Sequence, residues 1–279
     1  MTRKYRVNED YFKKWSPDMS YILGFWFADG CIYKNYFRLD QHKDDKELLE
    51  KISIAMGTDN PINISENMGR LSICSKTMVD DIKTLGGAER KSLLCKVPLI
   101  PSQYLRDFVR GNFDGDGSIW YNKTDGCYES EFCSGSKEFI DGLFVLLKKA
   151  IPNLHGRTSV TTNNGGYNNS TMYTMKFGKN DTIRLKEFMY SRSCGLFLER
   201  KRNLFLKTGK IKIARGCMIP YEEAEKYARL LNIRSREKWF HYCRNSNKPI
   251  GIPVNPRDVY KNKGWISWSK WLGKLENSV

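Results

Sequence analysis

Apolar and polar residues alternate along the chain with helical and strand periods, and the whole pattern occurs twice. Ser16-Pro17-Asp18 is a helix-start signal, and the apolar run after it predicts a helix that ends at Asp29-Gly30. A second apolar helix is predicted after Pro101-Ser102, and it ends at Asp116-Gly117. Each helix therefore leads into a turn that contains an acidic residue followed by a glycine.

The residues after the first helix alternate with a period of two, which predicts half-exposed strands with one apolar face. Phe37 and Leu39 lie on one side of the first such strand, and Arg38 and Asp40 lie on the other. The later strands place Ile62 and Ile64 opposite Asn63 and Ser65, and Leu71 and Ile73 opposite Arg70, Ser72 and Cys74. Helical periods predict two further helices, one from Asp44 or Asp45 to near Gly57 and one from about Lys76 to Leu85.

The same order of elements returns in the second half of the chain. The predicted elements are a strand over residues 129–134, a helix capped by Ser136, strands over residues 157–162 and 172–177, and a helix over residues 181–190. The fold class is therefore predicted to be α+β, with two pseudo-symmetric αββαββα repeats at residues 1–100 and 101–215. A break at Gly216-Cys217 predicts a small, mostly helical C-terminal module at residues 217–279.

Composition and charge narrow the kind of partner. The chain has 279 residues, and its apolar content of 40% is enough for packed cores in one large domain or several small ones. A net charge of +16 attracts phosphates, and an aromatic content of 13% supplies partners for base stacking. Nucleic acid is therefore the favoured partner, although a solvated basic surface without a ligand remains the alternative.

Other classes of protein fit the sequence poorly. The chain has no apolar run of membrane-spanning length, and its N-terminus lacks the apolar core of a secretory signal, so we expect an intracellular protein. The eight cysteines form no CxxC pair. Zinc-site spacing is therefore absent, and we expect free, mostly buried thiols.

Small residues recur at matching places in the two apolar helices. Gly24 and Ala28 are four residues apart in the first helix, as are Gly111 and Gly115 in the second. This spacing lets two helix backbones approach closely, so we expect the helices to pack together and bring their terminal acids, Asp29 and Asp116, to one place. Two carboxylates so near each other repel unless a cation neutralises their charge. Mg²⁺ is suited to this place, because it prefers one or two carboxylates together with water and phosphate oxygens. A basic protein with such a site is expected to be a metal-assisted phosphodiester hydrolase.

An acid-glycine turn has simpler interpretations that must be weighed. The phrase DGDGS could be a plain turn or the start of a calcium loop. A calcium loop would continue with acids at alternating positions and a glutamate at about the twelfth position. From Asp114 the chain has no further acid after Asp116 until Asp125, and the phrase recurs with matching downstream elements, so the plain interpretations fit less well.

The two phrases ILGFWFADG (residues 22–30) and VRGNFDGDG (residues 109–117) resemble the paired motifs of the single-chain LAGLIDADG homing endonucleases. The first phrase has Phe27 where the second has Asp114, but the acid before the final glycine, which binds metal in the family, is present in both. The resemblance covers residues 16 to about 210. It implies that the motif helices form a central interface, and that each repeat carries a saddle-shaped antiparallel sheet that fits the DNA major groove.

The resemblance implies an activity and a set of site residues. We expect a site-specific double-strand DNA endonuclease that acts on a long, partly palindromic target and leaves 3′ overhangs. Asp29 and Asp116 would hold Mg²⁺, with Ala28 and Gly115 beside them in the metal site; Mn²⁺ would substitute, and Ca²⁺ would support binding without cleavage. Gln41 would organise water, and its counterpart in the second repeat is left open between Cys133 and Ser134. Lys91 and Lys201 match the family's basic residue near the active site, which would polarise water or stabilise the pentavalent phosphate. A plain phosphate contact is the alternative for each.

The polar strand faces are the predicted DNA-reading surfaces. In the first repeat they consist of Tyr33, Asn35, Arg38, Asp40, Asn63, Ser65, Arg70 and Ser72. In the second they consist of Trp120, Asn122, Glu129, Glu131, Arg157, Ser159, Thr161, Thr174 and Lys176. Arginine suits guanine, asparagine suits adenine and acids suit the amino group of cytosine. At any one position a merely solvated strand face is an equal alternative.

The C-terminal phrase GWISWSKWLG resembles an element written GWxxWxxWLG in some phage integrases and mobile-element proteins. Trp265, Trp268 and Trp271 recur every third residue, so they either form the core of a small module or accompany an accessory DNA contact made by basic neighbours. The basic residues are Arg234, Arg236, Lys261, Lys263, Lys270 and Lys274. Both roles can hold together.

The predicted partner is double-stranded DNA, bound by a monomer inside the cell, in a bacterial cytoplasm or an organelle matrix. Two alternatives share the scaffold: an intron RNA maturase, and a DNA-binding regulator without catalytic activity. A regulator of this kind often lacks a motif acid, whereas Asp29 and Asp116 are both present. Their presence favours the nuclease.

Overall fold

The computed structural model describes residues 4–88, 95–163, 170–190, 195–209, 220–245 and 252–273. The chain divides into two compact units, Met1–Lys210 and Ile211–Val279. The first unit contains both repeats, and the second contains the tryptophan-rich phrase. No helix in the described part of the chain is long and apolar enough to cross a membrane.

The first unit has the predicted order of helices and strands in both halves. The first half consists of α1 (Pro17–Asp29), β1 (Gly30–Tyr33), β2 (Tyr36–His42), α2 (Lys46–Ala55), β3 (Ile62–Ile64), β4 (Met68–Cys74) and α3 (Lys76–Thr84). The second half consists of α4 (Leu105–Asp116), β5 (Ser118–Asn122), β6 (Cys127–Ser134), α5 (Lys137–Ala150), β7 (Arg157–Asn163), β8 (Ser170–Phe177) and α6 (Lys179–Tyr190), followed by α7 (Glu199–Leu206). The αββαββα repeat is therefore confirmed.

Each half carries one four-stranded antiparallel sheet with the same strand order. The orders are β1-β2-β4-β3 and β5-β6-β8-β7. In the first sheet Phe37 and Leu39 lie opposite Ile73 and Leu71, and all four are buried, so the predicted apolar face is correct. The fold class is α+β, as the sequence predicts.

Two predicted helix caps, Ser16 and Ser136, are confirmed, whereas Asp45 precedes α2 without a side-chain hydrogen bond at the cap. The Ser16 hydroxyl accepts a hydrogen bond from the Met19 amide at 3.0 Å, and Ser136 accepts one from Phe139 at 3.3 Å. The prediction for the second motif helix was wrong in detail. Pro101 precedes a short 3₁₀ turn, and α4 begins at Leu105 without a side-chain hydrogen bond at its cap.

Two further expectations need correction. Ile64 is 52% exposed; it ends the short edge strand β3, which has a neighbouring strand on one side only, and its partner there is Gly69, which has no side chain. The cysteines are less buried than expected. Among the described residues the cysteines lie outside any disulfide, but only Cys95 and Cys127 are buried, whereas Cys74 is exposed.

The motif helices α1 and α4 pack backbone against backbone. A methyl group added to Gly24 would overlap the carbonyl oxygen of Phe108, and one added to Gly111 would overlap the carbonyl oxygen of Tyr21. The Ser20 hydroxyl also donates a hydrogen bond to the Tyr104 carbonyl at 2.9 Å. The small residues are therefore required for this close approach, as the sequence predicts.

The second unit is a small helical module with its own aromatic core. Its helices are α8 (Tyr221–Leu230), α9 (Arg236–Asn245), α10 (Pro256–Tyr260) and α11 (Trp268–Trp271). Trp239 and Trp271 are fully buried, and their rings meet edge to face with centroids 5.4 Å apart. Trp265 precedes the helix and, like Trp268, is only partly buried. The tryptophans thus serve as core residues, and the accessory DNA contact remains a prediction.

Candidate active site

Asp29 and Asp116 occupy the last positions of the two packed helices. Both are half-buried. The place that a methyl group on Gly115 would take lies 3.2 Å from Oδ2 of Asp29, and it also overlaps Cβ of Ala28. The Asp29 carboxylate therefore lies against the last turn of the other helix, one residue from Asp116. The absence of a side chain at Gly115 leaves room for this contact.

Gln41 lies beside the first acid. It belongs to β2 itself, on the buried face with Phe37 and Leu39, and it is 7% exposed. Its Nε2 donates to Oδ2 of Asp29 across 3.4 Å, while its Oε1 accepts from the His42 amide at 2.9 Å. The strand therefore fixes an amide group at the edge of the acidic site.

Cys133 and Ser134 each share one feature with Gln41: Ser134 has the equivalent position in its sheet, and Cys133 contacts the motif acid of its repeat. In the first sheet Arg38 pairs with Cys31, and Gln41 lies three residues after Arg38. In the second sheet Glu131 pairs with Ser118, and Ser134 lies three residues after Glu131. Ser134 is thus the positional counterpart. Cys133 makes the contact, because its thiol donates to the carbonyl of Asp116 at 3.0 Å. Burial, followed by the charge of Asp116, raises the pKa of this thiol to about 11.

Lys201 caps the end of the second motif helix. Its ammonium donates to the carbonyls of Phe113, Asp114 and Gly115 at 2.9, 2.7 and 2.8 Å. Helix C-termini leave carbonyls without intrahelical partners. The Phe113 carbonyl also accepts from the Gly117 amide at 2.9 Å, so Lys201 is its second donor. Burial lowers the pKa of Lys201 to about 8, and the charge of Asp114 opposes that shift.

The three bonds define what Lys201 can do. A lysine ammonium has three donors, and here each has a carbonyl partner, so a direct contact with phosphate requires one of these bonds to break. Lys201 is therefore suited to holding the helix end that carries Asp116. The predicted role of contacting water or phosphate fits this geometry less well than a positioning role.

Asp114 has a structural environment quite unlike that of Asp116. It is fully buried, and its Oδ2 accepts bonds from the Tyr21 hydroxyl and the Leu198 amide, both at 2.7 Å. Burial raises the pKa of its carboxyl to about 6, against the lowering effect of these bonds. Asp114 thus ties α1, α4 and the segment before α7 together, which explains why only one of the two acids in DGDG faces the site.

Arg110 was missed by the sequence analysis. It is fully buried, and it donates to the carbonyls of Leu196 and Met189 at 2.9 and 3.0 Å and to Oδ1 of Asp107 at 2.8 Å. It therefore anchors the chain that leads to Lys201. A charged residue within an apolar helix was the available signal.

The side chains of the site that could bind a divalent cation are few, but they are of a suitable kind. Within the described ranges no group of three or more His, Cys, Asp or Glu side chains is placed to hold a metal ion. Two half-buried carboxylates on paired helix ends still suit Mg²⁺, which takes its remaining oxygens from water and substrate phosphates. Of the other two predicted metal-site residues, Gly115 already accepts a bond from Lys201 through its carbonyl, and Ala28 supplies only backbone. The predicted site residue Lys91 lies outside the described residues.

The predicted DNA-reading residues of the first repeat gather on one sheet face. Arg38 lies opposite Ser72, and Arg70 lies opposite both Asp40 and Asn63. Tyr33 extends this face on β1, while Asn35 lies in the β1–β2 turn and Ser65 follows β3. Tyr36 shares the face and was missed, although its period-two relation to Arg38 was visible in the sequence.

The second sheet gathers its predicted residues in the same way. Trp120 lies opposite Glu129, Glu131 opposite Lys176, and Ser159 opposite Thr174. The remaining predicted residues, Asn122, Arg157 and Thr161, lie an even number of residues from these along their strands and so share the same face. Thr174 is buried at 7% exposure and shares a 2.7 Å hydrogen bond with Ser159. Base contact by any of these residues remains a prediction.

Comparisons with known proteins find partial similarities. No family model matches the chain. Uncharacterized protein MJ0398 of Methanocaldococcus jannaschii is 30% identical over 143 residues, which cover 47% of this chain and 50% of that protein. The chain thus spans about half the length of this curated relative.

Two solved structures have a similar chain path. The homing endonuclease I-WcaI bound to its DNA recognition sequence is 15% identical, with 71% of this chain and 91% of that chain covered and a TM-score of 0.47. The N-terminal LAGLIDADG domain of DUF199/WhiA is 16% identical, with 66% and 90% covered and a TM-score of 0.43. The chain resembles the LAGLIDADG proteins. It does so in its two motifs, and the paired motif helices and repeated sheets that this resemblance implies are present in the structure.

Proposed function

We propose that this protein is a site-specific endonuclease that cuts both strands of duplex DNA with the help of divalent metal ions. The observation that carries the proposal is the position of Asp29 and Asp116 at the ends of two helices that touch backbone to backbone. Paired carboxylates at such a place repel one another and are neutralised by a divalent cation. The motif resemblance supports the same chemistry.

Each residue of the site has a distinct task in this proposal. Asp29 and Asp116 hold Mg²⁺, or Mn²⁺ in its place, and the metal when bound acidifies water and neutralises charge on the phosphates. Gln41 offers its amide beside Asp29 and orients a water molecule there. Lys201 keeps the end of α4 in position and, while its ammonium is protonated, adds a positive charge near both acids.

Duplex DNA is the proposed substrate because of the charge and the two sheet faces. A chain with a net charge of +16 gains affinity by releasing counterions from the phosphate backbone. Two polar sheet faces from one chain read two half-sites, since the major groove admits β-strands. One chain supplies both acids, so a monomer is sufficient, and unlike half-sites give a target that is only partly palindromic.

A DNA-binding regulator without cleavage is the second candidate. It is favoured by the absence, among the described residues, of any cluster of three or more metal-binding side chains, and by the full use of the Lys201 donors. The two candidates share the DNA-reading faces and differ only in the chemistry at Asp29 and Asp116.

One selection experiment separates the candidates. A randomised duplex library is offered to the wild type and to Asp116→Asn, in Mg²⁺ and in Ca²⁺, and both bound and cut molecules are sequenced. The nuclease proposal predicts that the wild type cuts one long site in Mg²⁺ with 3′ overhangs, and that Asp116→Asn binds the same site uncut. If both proteins select a common site and neither cuts it in Mg²⁺, the regulator replaces the nuclease. If neither selects DNA, both candidates fail.

A further inference from the structure

The sheet registers show which residues of the two repeats occupy equivalent positions. In the first sheet Cys31, the second residue after Asp29, lies opposite Arg38. In the second sheet Ser118, the second residue after Asp116, lies opposite Glu131. Arg38 and Glu131 therefore hold the same place relative to their motif helices, and the charge at that place is reversed between the repeats.

The equivalence extends to the next strand of each sheet. Arg38 lies opposite Ser72 on β4, and Glu131 lies opposite Lys176 on β8. The two positions are thus central in their sheets, with a strand on either side. A charge reversal at a central position of a DNA-facing sheet changes what that position can recognise.

Arg38 is held in place by its neighbours. Its guanidinium lies over the ring of Tyr33 at 4.6 Å and over that of Tyr36 at 5.4 Å. Its Nε is directed at the Ser72 hydroxyl at 3.4 Å. Stacking on aromatic faces restricts the guanidinium plane, and the two Nη groups then form the fork that recognises O6 and N7 of guanine.

Glu131 has a contrasting environment. Tyr33 and Tyr36 are replaced at the equivalent positions by Trp120 and Glu129, which follows from the registers. The Glu131 carboxylate lies 3.5 Å from the Lys176 ammonium, a long ion pair, and its side chain retains 24% exposure. An ionised carboxylate only accepts hydrogen bonds. In the major groove the amino groups of cytosine and adenine donate, but adenine places its N7 acceptor beside the donor, so cytosine is the better partner for a carboxylate.

We propose that Arg38 and Glu131 specify different bases at equivalent positions of the two half-sites. Arg38 reads guanine in the half bound by the first sheet, and Glu131 reads cytosine in the half bound by the second. This inference rests on the proposed DNA-binding function. Each position is read here on its symmetry-related strand. In a perfect palindrome the two positions would then carry the same base, so the pair marks one defined place where the target departs from symmetry.

The test is base selection by charge-swapped variants in Ca²⁺, so that binding is measured without cleavage. Glu131→Arg is expected to change the preferred base at one position from cytosine to guanine. Glu131→Gln and Arg38→Ala are each expected to reduce discrimination at one position about tenfold to a hundredfold, with other positions unchanged. Glu50→Arg, a charge reversal on the exposed face of α2, is the matched control and should leave every preference intact.

The outcomes separate this inference from the function on which it rests. If the wild type selects no DNA sequence, the proposed function fails and the inference falls with it. If the wild type selects a site but the preferences of Glu131→Gln and Arg38→Ala match the wild type at every position, only the inference is overturned. Circular dichroism of each variant establishes that it is folded, and Glu131→Gln and Arg38→Ala decide between these outcomes even if Glu131→Arg does not fold.

Discussion

Gly111→Ala is expected to disrupt the central helix pair, on which the whole site depends. The added methyl group would overlap the carbonyl oxygen of Tyr21, and it would also lie 2.9 Å from the Phe25 amide nitrogen. Both atoms belong to the backbone of α1, so no side chain can rotate away. The helices must separate, and Asp29 must move relative to Asp116.

The expected change in the free energy of unfolding is the difference between two opposing effects of the added methyl group. Overpacking a tight core costs about 1–3 kcal/mol and more where the neighbour is rigid, as it is here. Replacing a helix-interior glycine by alanine returns about 0.5–1 kcal/mol through the unfolded state. We therefore expect the free energy of unfolding to fall by about 2 kcal/mol, together with a loss of cleavage beyond that caused by unfolding.

Urea denaturation with a matched control measures this effect. Gly142→Ala is the control, because Gly142 lies within α5 and its added methyl group would meet only the Val97 side chain, with Cγ2 at 3.4 Å and Cβ at 3.6 Å. The control should be neutral or stabilised by up to about 1 kcal/mol. If Gly111→Ala is as stable as Gly142→Ala, the backbone contact between α1 and α4 is not as described, and the argument for convergent acids fails.

Three further substitutions test other parts of the description by chemical denaturation or calorimetry. Lys201→Met removes the buried ammonium from three helix-end carbonyls and should lower the free energy of unfolding by about 3 kcal/mol or more. Lys207→Met, at an exposed position, should change it by less than about 0.5 kcal/mol, and equal effects of the two substitutions would refute the capping role. Arg70→Ala removes a two-bond pair with Asp40 on the exposed sheet face and should cost less than about 1 kcal/mol, so a larger loss would mean that the pair is structural. Trp239→Ala empties the centre of the C-terminal core and should destabilise that unit by about 3–5 kcal/mol, and an unchanged thermal transition would contradict its role as core.

The sequence predicted the repeated order of elements because periodicity is a local signal. Ser16 and Ser136 cap helices as expected, and the alternation around Phe37 and Leu39 identified a buried strand face. The same alternation, continued to Gln41, would have placed that residue on the buried face. Ile64 was misassigned because it ends a short edge strand that has a neighbouring strand on one side only.

The site was predictable in position and much less so in role. Small residues and a terminal acid in each motif helix were enough to expect Asp29 and Asp116 near one another. The role of Lys201 was not predictable, because its partners are carbonyls on α4, far away in the sequence. Likewise, the sequence did not decide between Cys133 and Ser134 as the counterpart of Gln41. The sheet registers identify Ser134 as the positional counterpart, and the hydrogen bond to the Asp116 carbonyl identifies Cys133 as the residue that makes the contact.

The most direct test of the central claim is strand-specific, single-turnover cleavage of the selected duplex by wild type, Asp29→Asn, Asp116→Asn and the double variant. The claim is that two acids on paired helices form one metal-dependent site. It predicts that each single variant loses at least about a hundredfold in cleavage rate on both strands while still binding in Ca²⁺, and that the double variant is little worse than either single one. Cleavage of both strands at the wild-type rate by either single variant would contradict the claim.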